Sequence, residues 1–186
     1  AGFFSFKILP DRSTTETVQI EIPDAILPNK KYTGVGGLSL RNRIIEPDGS
    51  LTIVGEQISV FSDKYDTENV VIMRISKDQE LIWADLIVKK QRGYPLPSTI
   101  SSKYLKIGDY RYVFYLDHSK NHRQTSKTAK YKLIENNKGI LSAYRFSETG
   151  EVKRLDLFET KDVSGIRISD VTVGKIIPLD NNRIAY

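Results

Sequence analysis

The chain has no cysteine, one methionine, one tryptophan and two histidines among 186 residues. Without cysteine there is no thiol nucleophile, no Cys-ligated zinc, no iron–sulfur cluster and no disulfide stapling. Stability has to come from packing. Long apolar runs are missing too: Val70-Val71-Ile72-Met73 is among the longest, far below the roughly 20 residues that span a bilayer, so no transmembrane helix is expected. No basic n-region precedes Gly2-Phe3-Phe4, so no signal peptide is legible. The expectation is a processed mature protein or a piece of a longer one.

What is present is ample β-forming material. Hydrophobic residues make up 39% and charged residues 27%, enough of each for a folded chain with a core. The local pattern is period two almost throughout, with β-branched and aromatic residues in short runs between Asp, Gly, Asn, Pro and Ser. Strands are expected over residues 3–9, 17–22, 39–46, 51–61, 70–75, 81–88, 102–107, 110–117, 140–146, 152–158, 171–177 and 183–186, with turns such as Asp48-Gly49 and Thr149-Gly150 between paired strands.

Two kinds of hairpin alternate. One opens on Phe3-Phe4-Ser5-Phe6-Lys7-Ile8, on Val70-Val71-Ile72-Met73-Arg74-Ile75 and on Leu141-Ser142-Ala143-Tyr144-Arg145-Phe146, with Lys7, Arg74 and Arg145 as common markers. The other surrounds Glu46-Pro47-Asp48-Gly49-Ser50, Ile107-Gly108-Asp109-Tyr110 and Leu179-Asp180-Asn181-Asn182-Arg183. Together they make a four-stranded unit. The expected fold is therefore all-β, a propeller-like array of four-stranded antiparallel blades forming a partial or open propeller. The expected division is a half blade at 1–36, blades at 37–97 and 98–162, and a half blade at 163–186. A β-sandwich or meander is the alternative.

Three stretches carry a resemblance: Asp48-Gly49-Ser50-Leu51-Thr52-Ile53-Val54-Gly55-Glu56-Gln57, then Leu81-Ile82-Trp83-Ala84-Asp85-Leu86-Ile87-Val88-Lys89-Lys90-Gln91, then Tyr110-Arg111-Tyr112-Val113-Phe114-Tyr115-Leu116-Asp117 followed by Asn121. The chain resembles a poorly characterised family of β-propeller-like exported proteins from Bacteroidota over about residues 37–186. That resemblance implies export to the periplasm or outer membrane and a non-enzymatic role as an interaction module or subunit of an outer-membrane assembly. It supplies no catalytic residues. Ile58–Asn69 is shorter than the aromatic-rich insertion expected there.

Candidate chemistry is sparse, and no cofactor is expected. His118 and His122 stand four apart, but Ser119 occupies the place where a metalloprotease helix needs Glu, and the segment follows a strand; an exposed loop pair is the expectation. Ser62-Asp63-Lys64-Tyr65-Asp66-Thr67-Glu68-Asn69 offers oxygen ligands of the kind calcium takes, without the glycine and terminal glutamate of an EF-hand, and is expected to be a solvated loop. Gly34-Val35-Gly36-Gly37 leads into a strand and lacks the Gly-Lys-Ser/Thr of a phosphate loop. There is no Gly-x-Ser-x-Gly elbow. Glu56 is the carboxylate to inspect for glycoside hydrolysis, the rival reading being a glycan-active or carbohydrate-binding propeller; its plainer role is pairing with a basic side chain.

The net charge of +5 is localised. Residues 120–132 hold Lys120, Arg123, Lys127, Lys130 and Lys132 and no acid, leaving 23 Lys/Arg against 23 Asp/Glu elsewhere. This loop is the expected binding surface, for another protein or an outer-membrane complex. Nucleic acid is not expected, since Tyr131 is the one stacking aromatic within it.

Overall fold

The computed structural model describes residues 2–5, 10–14, 17–26, 38–61, 64–93, 102–121, 139–162, 173–179 and 183–185. Thirteen strands run through them: β1 Gly2–Ser5, β2 Val18–Glu21, β3 Leu38–Ile45, β4 Leu51–Phe61, β5 Lys64–Ile75, β6 Leu81–Ile87, β7 Gln91–Gly93, β8 Lys103–Ile107, β9 Tyr110–His118, β10 Gly139–Phe146, β11 Val152–Glu159, β12 Ile177–Leu179 and β13 Arg183–Ala185. Single 3-10 turns are the only helical elements among the described residues, and no helix there is long and apolar enough to cross a membrane.

All strand pairing among the described residues is antiparallel. Strands β3-β4-β5-β6 form one meander, with β7 paired to the first part of β5, and β8-β9-β10-β11 form a second. Strands β1-β2 and β12-β13 are separate two-stranded sheets. Three of the hairpin turns share one construction. Glu46 N–H donates to Ser50 O and Gly49 N–H to Glu46 O; Ser76 with Glu80 and Gln79, and Ser147 with Glu151 and Gly150, repeat both bonds. The fourth residue of each turn is left-handed, at φ +80 for Gly49, +69 for Gln79 and +86 for Gly150. That conformation closes a tight antiparallel hairpin and costs glycine nothing.

Three apolar clusters explain the residue patterns. Ile53, Val71, Met73, Ile75 and Leu86 form the outer face of the first meander and pack with Ile20, Ile22 and Ile26. Its inner face, with Val54, Val70, Ile72 and Ile87, packs on Tyr104, Val113, Tyr115 and Phe146 of the second meander. The second meander's other face, Phe114, Leu116, Leu141 and Ala143, packs with Val173 and Ile176. A sheet covered on both faces needs apolar residues on both, so β5 reads Val70-Val71-Ile72-Met73 without alternation, each at most 1% exposed. Edge strand β11, by contrast, carries exposed Val152, Lys153, Asp156 and Leu157.

The strands expected over 51–61, 81–88, 102–107, 110–117, 140–146 and 152–158 fall within a residue or so of those observed. Two expectations are corrected. Residues 64–69 are strand, not loop, because β4 and β5 continue their pairing past a bulge near Gln57, where Ile58 meets Thr67 and Phe61 meets Lys64. Residues 171–177 are not one strand: Val173–Lys175 is a 3-10 turn, and β12 begins at Ile177. Gly34-Val35-Gly36-Gly37 and residues 6–9 lie outside the described residues.

Candidate functional site

The register places a set of charged residues on the two inner faces, where strand periodicity calls for apolar side chains. Thr52, Arg74 and Trp83 share one row across β4, β5 and β6, and Glu56 shares another with Val70 and Ile87. On the second meander, Arg111 is level with Lys106 and Phe146. Two ionic clusters result, both built largely between the sheets.

The first cluster lies beside the turns. Arg111, fully buried, donates from Nε to Glu46 Oε1 at 3.0 Å and from Nη1 to Glu148 Oε1 at 3.0 Å. Arg74 takes the same Glu148 from the other sheet, pairing with its carboxylate and donating to its carbonyl at 3.1 Å. Its other nitrogens reach Ser50 Oγ at 3.1 Å and Asp48 Oδ2 at 2.6 Å. Glu46 also receives Thr52 Oγ1 at 3.0 Å and pairs with Lys106. Burial pushes the Glu46 carboxyl up, but Lys106, Thr52 and Arg111 together hold it below the ordinary glutamate value. Asp48 drops to about 2, chiefly because the Ser50 hydroxyl and N–H bond its carboxylate. Tyr104, buried beside Glu46, rises to about 12.

Trp83 fixes the same contact. Its ring stacks on Phe146 at 5.5 Å with 4° between planes, and its Nε1 donates to Glu148 O at 3.1 Å. A Cβ on Gly150 would lie 2.7 Å from Trp83 Cγ. The turn after β10 is thus clasped by the first sheet through one indole and one guanidinium.

The second cluster sits at the far end. Glu56 is fully buried between two cations: Arg41 Nε at 2.9 Å from Oε2 and Lys89 Nζ at 2.5 Å from Oε1. Lys89 donates its hydrogen bonds to Thr67 Oγ1 at 3.0 Å and Gln91 Oε1 at 2.6 Å, and Gln91 Nε2 crosses to Leu116 O of the second sheet at 2.5 Å. Burial pulls Lys89 below the usual lysine value, with Glu56 opposing. Close by in the second meander, Asp117 accepts from Asn121 Nδ2 at 2.8 Å and pairs with Arg154 at 3.1 Å, while Arg154 also holds Asp156 at 2.9 Å. Burial raises the Asp117 carboxyl against these partners.

The sequence candidates fall as follows. Glu56 is buried and ion-paired to Arg41 and Lys89. Lys120 is exposed, just past β9; Arg123, Lys127, Lys130 and Lys132 lie outside the described residues, as does His122. His118 is not in an exposed loop: it ends β9 at 8% exposure, and its Nδ1 accepts from Lys120 N–H. Asp66 is in a strand, held by both Nε and Nη2 of Arg92 at 2.6 and 2.7 Å, so the acidic stretch 62–69 is no solvated loop where it is described. Sequence reading missed Glu46, Arg74, Lys89, Arg111, Glu148 and Arg154 as members of the ionic clusters. The available signal was charge at inward parity, as in Met73-Arg74-Ile75 and Tyr110-Arg111-Tyr112. A second signal was the lysine in Val88-Lys89-Lys90, where only one of two neighbours can point inward.

No protein-family model matches the chain, and neither a curated protein nor a solved structure matches it. Fold and site therefore define a class only: an all-β protein of antiparallel meanders with an ionic seam between them.

Proposed function

We propose that the chain is a non-catalytic interaction module, a propeller-like array from an exported or outer-membrane-associated assembly of the Bacteroidota type. One observation carries the choice of binding over catalysis. The buried carboxylates among the described residues, Glu46, Glu56 and Asp117, are each held by at least one Arg or Lys of the chain itself. A glycosidase needs one carboxyl group free to give up a proton and a second facing the sugar. Glu56, the candidate for that chemistry, faces a lysine and an arginine instead. The stacked four-stranded meanders, with β2 and the turn after it on one outer face and the residues leading into β12 on the other, support the propeller-like reading over a two-sheet sandwich.

The binding surface in this reading is the basic segment with Lys120, Arg123, Lys127, Lys130 and Lys132, whose five positive charges stand without an acid. It suits an acidic protein surface. The test has two arms. Immobilised chain is expected to retain an envelope-fraction protein that the triple variant Lys127→Glu, Lys130→Glu, Lys132→Glu does not; equal capture rejects this surface. Sugar release from polysaccharides by the wild type, abolished by Glu56→Gln in a folded variant, rejects the non-catalytic reading.

A further inference from the structure

The outer face of the second meander is buried at one end and open at the other. Val173 and Ile176 lie on Phe114, Leu116, Leu141 and Ala143, each at most 3% exposed. Toward the turns the same face reaches solvent, with Tyr110 39% exposed and Lys153 exposed as well. One row crosses all four strands there. Leu105 of β8 is level with Tyr112 of β9, Tyr112 with Arg145 of β10, and Arg145 with Lys153 of β11.

Two features of this row point to an anionic ligand. Arg145 and Lys153 stand directly opposite one another, about 5 Å apart at Cβ, where like charges repel. Neither forms an ion pair among the described residues, whereas on the inner face of the same sheet Lys106, Arg111 and Arg154 each hold a carboxylate. The second feature is that the arginine is already ordered. Its Cζ lies over the Tyr110 ring, 4.4 Å from the centre, a cation–π contact that restrains a side chain otherwise costly to fix on binding. A destabilising cation pair kept in place and pre-ordered is a local rule broken without a gain inside the fold, which an anion from outside would supply.

We propose that this row docks an acidic polysaccharide, its carboxylates on Arg145 and Lys153 and its hydroxyls and C–H faces on Tyr110 and Tyr112. A guanidinium takes a carboxylate through two parallel hydrogen bonds, and a tyrosine offers a hydroxyl beside an apolar ring. A single-stranded nucleic acid fits less well. Base stacking needs open ring faces, and here Arg145 covers one face of Tyr110 while Tyr112 is stacked on Phe114 at 5.8 Å. An acidic peptide would meet the cations but brings no array of hydroxyls to the two phenols. These four residues are distinct from the basic segment 120–132, so this docking goes beyond the protein partner proposed above and does not depend on it.

Polygalacturonate is the probe, with dextran as an uncharged polysaccharide and polyglutamate and oligothymidylate as polyanions of other classes. In titration calorimetry at physiological ionic strength, the 186-residue chain is expected to bind polygalacturonate about tenfold or more tighter than each of the other three. The double variant Arg145→Gln, Lys153→Gln is expected to lose about tenfold or more of that affinity, since two charge-assisted contacts go. It is expected to melt no lower than the wild type, because the repulsion across the row goes too. Tyr110→Ala, which removes the ring under Arg145, is expected to weaken binding as well. The triple variant Lys127→Gln, Lys130→Gln, Lys132→Gln is expected to lose less than the double variant, although it removes one more positive charge. No binding of polygalacturonate overturns the proposal. Equal affinity for dextran overturns the role of the cations, and equal affinity for polyglutamate or oligothymidylate overturns the polysaccharide as occupant. A loss in the triple variant with none in the double variant or in Tyr110→Ala overturns this site and leaves the basic segment as the binding surface.

Discussion

Glu56→Gln isolates the cost of the ionic seam. Glu56 is fully buried and Lys89 is 1% exposed in its side chain, 2.5 Å from the carboxylate. Glutamine keeps the volume and removes the charge, so Lys89 keeps Thr67 and Gln91 but loses the carboxylate in direct contact with it. Arg41, 30% exposed, can turn to water and adds little. A buried cation stripped of its partner costs about 3–5 kcal/mol. With a urea dependence of about 2 kcal/mol per molar, the midpoint falls by about 2 M. The pH dependence has a definite sign. A lysine whose pKa is below its unfolded value leaves the folded state holding fewer protons than the unfolded one, so stability rises with pH from the folded to the unfolded pKa. Removing Glu56 takes away the group that opposes this lowering, so the deficit of the variant narrows as the solution is made more alkaline. Lys89→Met in the Glu56→Gln background is expected to recover most of the loss, because the stranded charge is gone. Urea unfolding followed by the single tryptophan measures all of this. A deficit under about 1 kcal/mol, or a double variant no more stable than the single, refutes the reasoning.

Gly150→Ala combines a left-handed backbone at φ +86 with a Cβ 2.7 Å from Trp83, and is expected to cost about 2–4 kcal/mol with altered tryptophan emission; Gly49→Ala, with similar φ but 3.4 Å to the nearest atom, is expected to cost about 1 kcal/mol. Thermal unfolding ranks the two, and equal losses discount the Trp83 contact. Asp48 is expected to titrate near 2 by carboxyl-carbon NMR, and to move up in Ser50→Ala, since the serine is the main cause of the lowering. Its folded pKa lies below the unfolded one, so its contribution to stability is present above pH 3.8 and is lost as pH falls through about 2.

Much of the fold was legible because strand formation is written locally. The turn sequences Glu46-Pro47-Asp48-Gly49-Ser50 and Ser147-Glu148-Thr149-Gly150-Glu151 show where the chain reverses, and alternation between them gives strand length. Legibility failed where the deciding partner was distant in sequence. Residues 64–69 look polar enough for a loop, yet β4 and β7 flank them and satisfy their backbone. Glu56 could be seen as an inward carboxylate, but nothing nearby announced that Lys89 and Arg41 would neutralise it. His118 looked exposed because its neighbours are polar; its burial comes from the end of β9.

By itself the sequence determined an all-β chain, the alternation of two hairpin types, the absence of thiol chemistry and a charge excess confined to residues 120–132, since these depend only on residue type and near-neighbour spacing. Tertiary structure decided which faces became interior and what the buried charges do. Arg74 is separated by 74 residues from Glu148 and Arg111 by 65 from Glu46, the partners they bind across the seam, and only the stacking of one sheet on the other brings these opposite charges together. Burial made those pairings obligatory, because an ion left alone between two sheets would cost more than either sheet could recover.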